Sequence, residues 1–172
     1  AYLQAQYAEM LSQEQRLRTE EPEAVHKTRV STRRMRSVLA SYRKMLHPEP
    51  ANGIRDELKW LSQLLGAARD AQVMRHRLQE LLAAQPEFLV KGPVSARIDE
   101  ELLGDYSAAL AAIRRGLDSP RYAALVRDLG VLVAAPQLTG RAERPAAKAG
   151  KKLVRKDLRR LKNRVRAAKQ ET

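Results

Sequence analysis

Apolar residues recur along this chain at three- and four-residue steps, beginning close to its first residue. Leu3, Tyr7, Met10 and Leu17 lie on such a ladder, which predicts a helix from about Tyr2 to Arg18. "TEEPE" interrupts it, with Pro22 suited to a first helical position and the acids around it to the positive end of the next helix dipole. The second predicted helix runs to about Leu46 and is ended by "HPEPANG". A third spans about Ile54 to Ala84. After "AQPE", a short apolar piece and "KGP", a fourth covers about Val94 to Leu117, and "DSP" restarts the chain as a fifth from Arg121 to about Ala134. "APQLTGRAERPAAKAG" is the longest loop signal, and a sixth helix follows from about Lys151 to Lys169. No alternating β-branched segment competes with these patterns. The expected fold class is therefore all-α, an antiparallel bundle of about six helices joined by short connections.

With 172 residues the chain can close a real apolar core, and 44% hydrophobic with 31% charged residues excludes a disordered tail. No apolar run approaches the roughly 18 to 20 residues that cross a bilayer, and no signal-peptide pattern opens the chain. The absence of cysteine excludes disulfides and thiolate zinc sites, and is compatible with the cytoplasmic location expected for it.

Charge changes the picture more than composition does. Residues 24–46 hold seven lysines and arginines, one histidine and no acid. They contribute +7, and residues 141–169 contribute +11, to a formal net charge of +13, which leaves −5 for the rest. Such segregation points to a polyanionic partner. On a helical projection His26, Arg29, Arg33, Arg36, Arg43 and Lys44 share an arc of about 100°. Met35, Val38, Leu39, Tyr42, Met45 and Leu46 lie opposite. A basic stripe is ordinarily a solvated face, but such faces usually mix signs, because like charges four residues apart repel. Here Arg29 and Arg33 are a like pair with no acid to relieve them.

The third helix carries Arg55, Lys59, Ser62, Gly66 and Arg69 on one line, beside an apolar face of Ile54, Leu58, Leu61, Leu65 and Ala68. In an antiparallel hairpin Lys59 comes level with Ala40 and Lys44, and Arg69 with Arg29 and Arg33. Ser62 and Gly66 then leave a floor between two basic rows. Asp70 is placed to orient one of these arginines, or simply to pair with one at the surface. In the sixth helix Val154, Leu158, Leu161 and Val165 are expected to be buried. Lys151, Arg155, Arg159, Lys162 and Arg166 flank that stripe and are expected to line a groove, with Arg160 and Arg164 facing solvent.

Guanidinium groups match phosphate oxygens bidentately and stay charged at physiological pH. Rows of them about 5.4 Å apart suit a chain of repeated phosphates better than one small anion. His26 adds a donor that strengthens as pH falls toward about 6.5, although a histidine near a helix start also serves as a cap or a packed side chain. No catalytic set emerges. There is no "GK[ST]" phosphate loop, and His26, His47 and His76 lack metal-ligand spacing. "EPEAV" only superficially matches the alternating acids of metal-dependent triphosphate hydrolases, since it opens a helix and has Val25 where those use lysine. No enzyme activity, cofactor or metal is expected. Nucleic acid is the alternative partner, but neither Phe88 nor Trp60 has basic neighbours arranged as a stacking platform.

"EAVHKTRVSTRRMRSVL" followed by "RDELKWLSQLLGAARDAQVM" resembles the CHAD family, helical domains named for their histidine. The family pattern of histidine, arginine and a basic pair maps onto His26, Arg29, Arg33 and Arg34. Its second block maps onto Lys59, Trp60, Arg69 and Asp70. The resemblance implies an all-helical fold of two related halves around a basic channel that binds inorganic polyphosphate, often beside a triphosphate-tunnel hydrolase domain. Residues 1–135 would form the first half and residues 146–172 the first helix of a second, making the 172-residue domain incomplete at its C-terminal side. The basic helix faces together with this resemblance give the expected binding residues: His26, Arg29, Arg33, Arg36, Lys44, Arg55, Lys59, Arg69, Arg155, Arg159 and Lys162.

Overall fold

A computed structural model describes residues 1–86, 89–90, 92–143 and 146–170 of the chain. Phe88 lies outside the described residues, as do Arg144, Pro145 and the final two positions. The helices are α1 (Tyr2–Ser12), α2 (Glu14–Arg18), α3 (Pro22–Ser41), α4 (Pro48–Ala83), α5 (Val94–Leu117), α6 (Pro120–Ala134) and α7 (Ala146–Gln170). α1 and α2 are one helical path broken at Gln13, so the described residues form the all-α bundle anticipated, with six rods.

Three helix ends differ from the pattern-based reading, one of them the start of α7, at Ala146 and not near Lys151. α3 stops at Ser41 and not near Leu46, and α4 starts at Pro48 and not at Ile54. Pro48 and Pro50 sit in the first turn of α4, where a missing backbone N–H loses no helical bond. Prolines that look like a loop in sequence therefore open a helix. α2 closes with the Glu21 amide donating to the Arg16 carbonyl (2.9 Å) and the Glu20 amide to the Leu17 carbonyl (3.2 Å). Glu20 takes the left-handed conformation this ending demands, with φ of 58°, a place usually given to glycine. Its carboxylate meets Arg114 Nη2 at 2.6 Å, which ties the turn to α5.

The core runs through α1 to α6. Met10, Leu17, Met35, Leu39, Leu58, Leu61, Leu65, Ile113, Leu125 and Leu129 are almost fully buried in it. α4 is the central rod, packed by α3 on one side and α5 on another. Thr28, Ser31 and Thr32 are buried too, on the same side of α3 as Met35 and Leu39 and one to two turns before them. Their hydroxyls donate back to the helix, Thr28 Oγ1 to the Ala24 carbonyl (2.8 Å), and Ser31 Oγ (2.9 Å) and Thr32 Oγ1 (2.6 Å) to that of Thr28. Satisfied this way, small hydroxyl side chains can line a helix contact without a desolvation penalty.

The segment after α6 is pinned beside the α3–α4 turn. His47 donates its amide to the Gln137 carbonyl (3.0 Å), Thr139 donates its amide to Met45 (2.9 Å), and Leu46 bridges Leu138 in antiparallel fashion. This anchor directs α7 back across the end of α3. The expected burial of its apolar stripe does not occur: Val154, Leu158, Leu161 and Val165 are between 47% and 67% exposed. No helix among the described residues is long and apolar enough to cross a membrane.

Candidate functional site

A cleft of about 790 Å³ opens between α3, α4 and α7. Arg33, Arg36, Ser37, Ala40 and Ser41 form the α3 wall, and Arg55, Asp56 and Lys59 the α4 wall. α7 contributes Asp157, Arg160, Leu161 and Arg164. Six bases therefore face two acids. Asp157 accepts a hydrogen bond from Ser41 Oγ (3.1 Å) and lies 3.9 Å from Arg160. Arg55 Nη1 donates to Asn52 Oδ1 (3.4 Å). Among the described residues Arg33, Arg36, Arg55, Lys59 and Arg164 form no ion pair, so their charge is available to an external anion.

The antiparallel register of α3 and α4 is the one anticipated. Beyond the cleft Arg29 lies against Gly66, and its Nη1 stands 3.6 Å from Asp70 Oδ1. That contact is an ion pair and not the two-pronged fork that would lock the guanidinium. Arg69 donates from Nη1 to Gln72 Oε1 (3.4 Å), and Gln72 Nε2 donates in turn to the Tyr106 hydroxyl (2.9 Å), which links this arginine to α5. His26 is exposed near the start of α3, in line with Arg29. Arg34 turns the other way, to Gln6 of α1, with Nη1 at 3.5 Å from Oε1. Glu49, Glu57 and Asp128, with Asp56 shared between the two, border a second cavity of about 590 Å³ between α4 and α6.

Of the eleven residues expected to bind, the cleft brings together Arg33, Arg36, Arg55 and Lys59, with Arg29 and Arg69 farther along the same hairpin. Lys44 is displaced. α3 ends before it, and its carbonyl accepts a hydrogen bond from Thr139 Oγ1 (2.8 Å) in the turn. Arg155, Arg159 and Lys162 are exposed and do not line the cleft. Arg160 and Arg164, expected in solvent, take that place. The reason is geometric. The apolar stripe of α7 has bases on both flanks, and its phase alone cannot say which flank faces α3. Asp157, bonded to Ser41, shares a face with Arg160 and Arg164, and all three line the cleft. The i, i+3, i+7 spacing of these three was the only sequence signal available.

An all-helical bundle with bases from three separate helices around one cleft defines the molecule's class. The chain belongs to the CHAD family, whose domain model matches residues 1–172. It is 34% identical over 128 residues to two uncharacterized proteins of Mycobacterium tuberculosis, MT2285 of strain CDC 1551 and Rv2226 of strain H37Rv. Those matches cover 74% of this chain and 25% of each relative, so the chain spans about a quarter of the length of these curated proteins. In structure it is similar to PptA from Streptomyces chartreusis, with a TM-score of 0.81 and 27% identity over 96% of this chain and 58% of that one.

Proposed function

We propose that this domain is a binding module for inorganic polyphosphate, held along the cleft by Arg33, Arg36, Arg55, Lys59, Arg160 and Arg164 with Arg29 and Arg69 extending the row. Membership of the CHAD family supports the reading. The observation that carries it is the convergence of six bases from three helices on one cleft, with five of them in no ion pair among the described residues. A polyanion gains from such a surface by charge-assisted hydrogen bonds and by release of the counterions that otherwise shield the bases. The proposed role is binding without chemistry, in the cytoplasm.

Nucleic acid fits the same charge less well. Trp60 is partly buried against the core and its ring lies under the Arg121 guanidinium, 4.4 Å from the centroid, so it offers no open face to a base.

Titration with long-chain polyphosphate tests the proposal. Binding is expected, weakened about tenfold or more when Arg29→Ala and Arg33→Ala are combined. No binding, or binding indifferent to that pair, defeats it. Displacement of polyphosphate by single-stranded DNA at equal phosphate concentration favours the nucleic-acid reading. Phosphate release in the presence of magnesium or manganese overturns the non-catalytic role.

A further inference from the structure

We infer that Gly66 is a positioning residue of the proposed polyphosphate site, kept without a side chain so that the Arg29 guanidinium can rest against the backbone of α4. The inference deepens the polyphosphate reading and rests on it.

Gly66 lies well inside the longest helix of the structure and has no left-handed backbone angle, so conformational freedom does not explain it. Helix propensity argues against it, because glycine is the poorest helix former after proline. The other glycines divide clearly. A Cβ at Gly53, Gly104, Gly140 or Gly150 meets nothing within 4 Å. Gly116 and Gly130 make room for Leu64 and Tyr7, which is helix packing. Gly66 alone among these faces a cation of the candidate site: a Cβ there stands 3.3 Å from Arg29 Nη1, tighter than ordinary contact.

Gly66 is buried, and Arg29 provides cover on its Cβ side. One turn further along α4, Asp70 holds the same Nη1 at 3.6 Å. The guanidinium is thus seated between a bare stretch of helix and a single carboxylate, which leaves its remaining donors for an anion. A methyl group at position 66 lifts Nη1 outward by a few tenths of an ångström and lengthens the contact with Asp70. The helix itself gains from alanine. Stability and binding are therefore expected to move in opposite directions, a separation that a merely structural glycine does not produce.

The test is a double-mutant cycle on the whole chain, read by polyphosphate titration and thermal melting. Gly66→Ala is expected to bind about three- to tenfold more weakly, with an unchanged or raised melting temperature. Its plot of log affinity against log salt should lose a slope of about one. Gly66→Val should weaken binding further. In an Arg29→Ala background Gly66→Ala should have no additional effect. Gly53→Ala, in open space on the same helix, controls for propensity and should bind as wild type. Wild-type binding by Gly66→Ala, or an equal loss with and without Arg29, overturns the inference and leaves the polyphosphate reading intact. Failure of the unaltered protein to bind overturns both.

Discussion

Ser41 Oγ donates a hydrogen bond to Asp157 Oδ2 across 3.1 Å and so joins the end of α3 to α7, 116 positions away in sequence. It lies on the face of α7 that looks into the basic cleft. Asp157 also places a negative charge where the proposed ligand would carry its own. Asp157→Asn keeps an oxygen to accept from Ser41 and removes the charge. Polyphosphate affinity is expected to rise about two- to fivefold at low salt, the scale of one exposed charge interaction, and the gain should shrink as salt is added. An unchanged affinity at low salt would count against the cleft as the binding surface.

The two flanks of α7 give opposite expectations. Arg160→Ala with Arg164→Ala removes two cleft bases and should weaken polyphosphate binding about tenfold or more. Arg155→Ala with Lys162→Ala removes the same charge from the face that does not line the cleft, and should change affinity by less than about twofold. Equal losses from both pairs would mean that net charge, and not the cleft, governs binding.

Gly116 governs how closely α5 approaches α4. A Cβ at this position would collide with Leu64 Cδ2 and press toward Trp60. Overpacking of this kind costs about 1–3 kcal/mol, partly offset by the roughly 1 kcal/mol that alanine gains over glycine in a helix. Gly116→Ala is expected to lower stability by about 1 kcal/mol in urea unfolding. Shortening the opposing side chain with Leu64→Ala should remove most of that penalty, and additive losses would refute the contact.

Tyr122 connects alkaline stability to the core. It is buried, and its hydroxyl donates to Glu14 Oε2 at 3.3 Å. Burial, then the neighbouring Glu14 charge, pushes its phenol well above the usual range. The folded protein thus holds this proton after the unfolded chain has lost it at about pH 10. The contribution is complete below that pH and declines as pH rises above it. Tyr122→Phe should reduce the loss of stability between about pH 10 and 12 relative to the wild type. At neutral pH it should cost only about 1 kcal/mol for the hydrogen bond. Parallel stability curves for the two proteins over the alkaline range would exclude the linkage.

Helix content, the hairpin of α3 and α4, and the level of Arg29 with the Arg69 end of α4 were all legible in the chain, whereas the contact of Arg29 with Gly66 and its choice as the partner of Asp70 were not. The legible features follow from a period of 3.6 residues and a short connection, which are local properties. The segregation of charge is likewise a matter of order along the sequence. Other features were not legible because they depend on what a segment packs against. Thr28, Ser31 and Thr32 carry the apolar side of α3 toward its start with hydroxyl residues, whose burial goes with bonds from their hydroxyls to the preceding turn. Lys44 left the basic stripe because the chain turned at Ser41 to meet Thr139. Arg160 and Arg164 entered the cleft, and Arg155, Arg159 and Lys162 did not, although both flanks of α7 are equally basic. Periodicity gives the phase of a helix about its own axis. It carries no information on which side its neighbour stands; the contact between Ser41 and Asp157 appears only in the tertiary structure.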